Sequence, residues 1–300
     1  MANKTRVPRW LVHMGSLVAD HLSSSAAYRL SEWIARLLAW MHHRTFRVLC
    51  ANLAPVIPER SLAERKAMAT HALALALRTY YELFRIADGH HVDATLSVPD
   101  NCPVIEWAKA EQEGTIQPDR PGLMVCALHM SNFDLAGALV ARQGVSLQVL
   151  SMADPDAGSS LINQLRSDQG LTVTPVASAA LRAAVRRLRA GRMVATGIDR
   201  PVSSGGMPLP FFGREAMLPV GHIRLALQTN ARLVLAACLE ESRGHYQLVC
   251  TPPIELQRTG NRETDILVNA KATLAWAEEL IRSAPEQWLV FVPVWPDQSA

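Results

Sequence analysis

Three hundred residues, 49% hydrophobic and 19% charged, can bury a large core in one domain or two modest ones, and this excludes a disordered polypeptide. The formal charge of +3 is unevenly placed: residues 1–50 hold seven Lys/Arg against Asp20 and Glu32, so this segment carries +5 and the remainder −2. Five scattered cysteines, Cys50, Cys102, Cys126, Cys238 and Cys250, form no CxxC pair, which argues against a disulfide framework or structural zinc and for reduced thiols in a cytosolic compartment.

Residues 8–41 read as two amphipathic helices separated by the serines at 23–25. One presents Trp10, Leu11, Met14, Leu17 and Val18 on a single face, the other Leu30, Trp33, Ile34, Leu37, Leu38 and Met41. The same spacing fits a helix packed on a soluble core and one lying on an anionic membrane surface. The local +5 charge and the tryptophans Trp10, Trp33 and Trp40 are what a membrane surface would use. A basic start followed by an apolar stretch raises the question of a signal peptide, but His13, Asp20 and His21 interrupt the stretch and no clean small-residue cleavage site follows.

A third helix is predicted over 61–86, with Leu73, Leu77, Tyr80 and Phe84 as its core face. Residues 121–141 have the hydropathy of a membrane span, yet the HMSNFD at their centre is too polar for lipid. Beyond Pro99 short apolar runs alternate with helical patterns. Strands are predicted at 123–128, 147–152, 171–176, 193–198, 233–239, 247–251 and 289–294, and helices at 135–142, 159–168, 179–190, 221–228 and 264–283. The alternation implies an α/β domain with a largely parallel central sheet flanked by helices. The chain then divides into N-terminal amphipathic helices, 1–50, and an α/β domain, 51–300.

Two constellations could carry chemistry. His129-Met-Ser-Asn-Phe-Asp134 follows a predicted strand and precedes a predicted helix, at the open edge of a sheet where α/β proteins keep their sites. His129 suits a general base, and Asp134, at the first helical turn, could curl back onto its other ring nitrogen. Equally, Asp134 could be a helix N-terminal charge and His129 a core histidine. The second constellation is Asp199-Arg200-Pro201, then Gly205-Gly206, then Phe211-Phe212-Gly213-Arg214. Arg200 and Arg214 could clamp a phosphate while Phe212 and Gly213 border an apolar wall; the alternative is a surface loop with a buried Phe-Phe anchor.

Together these segments resemble the bacterial lipid A biosynthesis (lauroyl/myristoyl) acyltransferases and, more closely, the related phosphatidylinositol mannoside acyltransferases. The match rests on the HxxxxD of His129 and Asp134 and on IDRPVSSGGMPLPFFGREAMLPVGHIRLALQTNARLVLAACLEE at 198–241, with weaker support at 52–66, 161–170 and 285–296. Such a resemblance implies a glycerolipid acyltransferase-like fold and an enzyme peripheral to the cytoplasmic face of the inner membrane. It would move a fatty acyl group from acyl-CoA or acyl carrier protein, as donor substrate, to a lipid hydroxyl. It also implies His129 as catalytic base with Asp134 as partner, and substrate-binding roles for Arg166, Asp199 and Arg200. Pro201 stands where many relatives carry a second acidic residue.

The chemistry needs no cofactor. A base removes the acceptor's proton and donors hold the oxyanion; Ser131, Asn132 or the first N–H groups of the helix could supply them. No GxSxG elbow occurs. Two other readings stand beside transfer: a serine-type lipid hydrolase or esterase using Ser131, and a non-catalytic lipid-binding membrane protein. A metal site is not expected, because His42-His43 and His90-His91 are adjacent pairs that diverge on any regular backbone. The Arg182, Arg186, Arg187, Arg189 and Arg192 run lacks interleaved aromatics, so no nucleic acid partner is expected.

Overall fold

The computed structural model describes residues 9–87, 95–117, 119–142, 144 and 146–295. His90 and His91 lie outside these, as does the side chain of Leu11. Four helices come first: α1 (Arg9–His21), α2 (Ser24–Trp40), α3 (Arg44–Val56) and α4 (Leu62–Ala87). The first three pack on α4, and the packing uses small side chains. On α2 the buried residues Ala27, Ser31 and Ala35 repeat every fourth position. On α1, Val12 and Ala19 are buried, and at Gly15 an added Cβ would come within 2.6 Å of Phe84 Cε2. Because the small face is the one turned inward, the large apolar face is left in solvent. Trp10, Trp33 and Trp40 are 65%, 69% and 78% exposed, with Met14, Leu17, Val18, Leu30, Leu37 and Met41 exposed beside them.

The remaining elements build the α/β domain: β1 (Thr95–Ser97), α5 (Pro103–Gln112), β2 (Leu123–Ala127), α6 (Phe133–Arg142), β3 (Gln148–Ser151), α7 (Ala157–Asp168), β4 (Thr172–Pro175), α8 (Ser178–Arg189), β5 (Met193–Gly197), β6 (Gly206–Phe211), β7 (Arg214–Pro219), α9 (Gly221–Thr229), β8 (Arg232–Ser242), β9 (His245–Cys250) and α10 (Arg262–Ser283). Seven strands form one sheet in the order β1-β9-β8-β2-β5-β3-β4, parallel throughout except between β8 and β9. The central strand β2 reads Leu-Met-Val-Cys-Ala without alternation because helices cover both of its faces. One apolar cluster joins Met124 and Cys126 to α3, α4, α8, α9 and α10; the other joins Leu123 and Val125 to α5 and α6.

Two segments depart from expectation. Residues 206–219, read as Gly-containing loops, form the β6–β7 hairpin, in which Pro208 and Pro210 are tolerated because a two-stranded ribbon leaves one side of each strand unpaired. Residues 289–294 join no sheet. One side chain takes three of their backbone groups: Asn52 Nδ2 donates to the carbonyls of Val290 (2.9 Å) and Val292 (3.0 Å), and its Oδ1 accepts from Val294 N–H (3.2 Å), while Leu289 N–H donates to the His129 carbonyl. A buried asparagine thus stands in for a neighbouring strand. The structure also adds α3, α5 and β1, which the apolar periodicity does not announce.

Candidate active site

The β2–β5 register assembles the site. Ala127 pairs with Gly197 at the carboxyl end of both strands, and two residues beyond that pair stand His129 and Asp199. The imidazole Nδ1 lies 2.6 Å from Asp199 Oδ1. The other carboxylate oxygen accepts from His129 N–H at 2.9 Å and from the Trp288 indole at 2.8 Å. Asp199 is fully buried. Burial works against its charge, but the adjacent imidazole and these N–H donors outweigh it and hold the carboxyl below its ordinary range. A carboxylate can only accept, so Nδ1 carries the proton and Nε2 is left as the basic nitrogen. The ring is 28% exposed, packed edge-on to Phe133 at 5.5 Å between centroids. Its position requires Gly197: a Cβ there would approach His129 Cε1 to 2.7 Å.

This places the second member of the expected pair elsewhere. Asp134 does not curl back onto His129; it turns toward α7, where Arg166 Nε and Nη2 donate to its two oxygens at 2.6 and 3.2 Å. The reason is helical geometry, since the first turn of α6 carries the residue-134 side chain away from the strand end and across to α7. Arg166 also donates to Asn163 Oδ1 at 3.2 Å.

Arg200 is half-buried beside Asp199 and makes no hydrogen bond or close ion pair among the described residues. Burial lowers its affinity for the proton, with Tyr80, Asp199 and Asp156 as the compensating influences. Tyr80, expected to be ordinary core, is 37% exposed with its hydroxyl in the field of Arg166, Asp134 and Arg200. The two basic and two acidic side chains and this phenol therefore share one end of the sheet.

The other candidates are arranged differently. Ser131 is fully buried at a left-handed φ of +45°, its N–H donating to Gln287 O at 2.8 Å and its hydroxyl without a partner among the described residues. Asn132 is committed at both ends: Oδ1 caps Leu135 N–H at 3.0 Å and Nδ2 donates to the buried Glu82. Phe212 is 6% exposed, packed with Phe211, Trp288 and Trp295. Its N–H donates to Glu278 at 2.6 Å and the Arg282 guanidinium covers its ring at 4.7 Å. Gly213 takes the positive φ of the hairpin turn and, with Phe212 and Arg282, borders a cleft of about 420 Å³ against residues 55–59. Arg214 is exposed, opposite Phe211 in the hairpin. The aromatic pair buttresses Trp288, which holds Asp199. Sequence reasoning missed Gly197, Trp288 and Glu82; the only local signals were a glycine ending an apolar run and a lone acid within a helical apolar stretch. No group of three His, Cys, Asp or Glu suited to a metal ion occurs among the described residues.

Over 178 residues, 58% of this chain, the sequence is 26% identical to phosphatidylinositol mannoside acyltransferases from two strains of Mycobacterium tuberculosis, covering 54% of each, and 24% identical to the one from Mycolicibacterium smegmatis, covering 57%. The matched segment thus spans little more than half of those relatives. The family description "Bacterial lipid A biosynthesis acyltransferase" matches residues 3–296, nearly the whole sequence, and the chain belongs to that family.

Proposed function

We propose that the protein is a membrane-peripheral O-acyltransferase in which His129, held by Asp199, deprotonates a lipid or glycolipid hydroxyl that attacks an acyl thioester directly. The observation that carries this reading is the buried Asp199 carboxylate against Nδ1, which turns the partly exposed Nε2 into a proton acceptor at the edge of the sheet. On attack, the hydroxyl proton passes to Nε2, the new C–O bond forms, and the thioester carbonyl becomes an oxyanion. When the tetrahedral species collapses, the C–S bond breaks and the imidazolium returns the proton to the departing thiolate. Asp199 stabilises the transient imidazolium and is not itself protonated. The N–H groups of Phe133 and Asp134, which open α6 ahead of the Leu135 N–H that Asn132 caps, serve the oxyanion. Arg200 takes the phosphate of the donor's carrier group or of the acceptor.

The burial of Ser131, with its hydroxyl unpartnered among the described residues, favours direct attack over a covalent seryl route and so weighs against the serine-type hydrolase. The outward tryptophan face of α1 and α2, with the +5 charge of residues 1–50, favours interfacial docking on an anionic bilayer. No helix among the described residues is long and apolar enough to cross a membrane. The donor is acyl-CoA or acyl carrier protein, bound as substrate. The test is mass spectrometry of products from purified protein offered both donors with a panel of lysophospholipids and glycolipids. A new ester on one acceptor class, absent in His129→Ala, is expected; free fatty acid as the sole product would overturn transfer in favour of hydrolysis.

A further inference from the structure

The carboxylate of Glu82, in the last third of α4, is fully buried yet has four polar contacts around it from three other segments. Tyr28, on the inward face of α2, donates to it. So does Tyr246 of β9, at 3.0 Å from one oxygen and 3.2 Å from the other, and so does the side-chain amide of Asn132. Asn132 is the residue whose Oδ1 caps α6, three positions after His129 and two before Asp134. The loop it belongs to is also held at His129 by Asp199, at the His129 carbonyl by Leu289 N–H, at Ser131 N–H, at positive φ, by the Gln287 carbonyl, and at Asp134 by Arg166; Asn132 is its tie to Glu82. Tyr28 is itself held in place: Arg243, paired with Glu32 of α2, lies over its ring at 5.8 Å, and Arg78 of α4 at 5.5 Å.

We propose that Glu82 is a positioning residue through which the seating of α2 sets the shape of the catalytic loop, so that engagement of a bilayer by α1 and α2 orders residues 129–135. The inference rests on the interfacial reading of these two helices. Tyr28 and Trp33 belong to one rigid helix, the first turned toward Glu82 and the second 69% exposed. A small displacement of α2 by lipid therefore cannot leave the Tyr28 hydroxyl bond unchanged. A buried carboxylate must keep its donors, because an orphaned one is strongly unfavourable, so Glu82 follows the phenol and Asn132 follows Glu82. The α6 cap is the end of that chain, and it is where the site's first-turn N–H groups are held.

The experiment is amide hydrogen exchange on the full-length protein, with and without large unilamellar vesicles of equimolar phosphatidylglycerol and phosphatidylcholine. It compares wild type, Tyr28→Phe and Glu82→Gln, with thermal unfolding as the check on folding. In wild type, vesicles should slow exchange in α1 and α2 and, several-fold, in residues 130–136. In Tyr28→Phe, which removes only one hydroxyl, the slowing in α1 and α2 should persist while that in 130–136 is lost; Glu82→Gln should behave alike where it folds. A merely structural role would raise exchange in 130–136 equally with and without vesicles, and that result overturns the proposal. So does vesicle-induced slowing in 130–136 that survives Tyr28→Phe, or its absence from wild type despite slowing in α1 and α2. If α1 and α2 themselves show no slowing, the interfacial reading fails, and the coupling with it.

Discussion

The assignment of Asp199 rather than Asp134 to the imidazole can be tested by one pair of isosteric changes. Asp199 takes three donors, two on Oδ2 and the Nδ1 proton on Oδ1. In Asp199→Asn the amide oxygen serves the backbone N–H and the Trp288 indole, which leaves its NH₂ facing Nδ1. Nδ1 must then accept, the proton moves to Nε2, and the base is lost without any change of shape. Removal of a general base costs about 10²- to 10⁴-fold in rate, about 3–5.5 kcal/mol of barrier. Asp134→Asn breaks a bidentate ion pair with Arg166 but leaves the tautomer intact, so its effect should fall on folding stability and KM, with turnover within about tenfold. The assay is thiol released from the acyl donor in the presence of acceptor, with kcat and KM separated for both variants. Asp199→Asn within threefold of wild type, or a larger kcat loss in Asp134→Asn than in Asp199→Asn, would refute the assignment.

Gly197→Ala should lower kcat at least tenfold with little loss of thermal stability, because its Cβ would stand 2.7 Å from His129 Cε1 and must displace the ring; unchanged kinetics would show the ring free to shift. Arg200→Gln should raise KM by about 10- to 150-fold, the equivalent of about 1.5–3 kcal/mol for a charged hydrogen bond, with lysine rescuing only in part, while Arg214→Gln at the exposed hairpin should change little. Replacing Trp10, Trp33 and Trp40 with serine should abolish co-sedimentation with anionic vesicles and leave the midpoint of denaturant unfolding nearly unchanged, since all three are more than half exposed. His222 is buried with its Nδ1 unpartnered among the described residues, and burial pushes its pKa down to about 3. The unfolded chain, with the ordinary value of 6.5, therefore takes up a proton that the folded one refuses, so stability should fall by about 1.4 kcal/mol per pH unit from pH 6.5 toward 3. His222→Met should flatten that slope in urea titrations at pH 7.5, 6 and 5.

The amphipathic face of α1 and α2 was legible because it depends only on spacing within one helix; which side faced the protein was not, since that turned on Gly15 and the alanines fitting against α4. Strand and helix positions in the parallel core followed from local apolar runs. The pairing of His129 with Asp199 did not, because the residues are 70 apart and meet only through the β2–β5 register, and nothing in one sequence marks which strands lie side by side. Asp134 looked nearer by chain count, yet helix geometry sends it to α7. Residues 289–294 had a strand's composition, but the ladder partner was the side chain of Asn52, which no periodicity encodes.

On the proposed mechanism, the partners of the two carboxylates would let one edge of the sheet serve both a base and an anion. Asp134 carries a charge that would repel a phosphate-bearing substrate, but the Arg166 fork, with Nε at 2.6 Å, neutralises it within its own pair. Asp199 accepts from the Trp288 indole inside the protein and lies against Nδ1, so the ring edge it leaves unengaged is Nε2. Arg200, with no close ion-pair partner among the described residues, then keeps its positive charge for an incoming anion. On the proposed mechanism, an imidazolium formed when Nε2 takes the hydroxyl proton would be paired with Asp199 and add no net repulsion against Arg200. The division holds only while each carboxylate keeps its own partner, and that is why exchanging either for its amide should damage a different step.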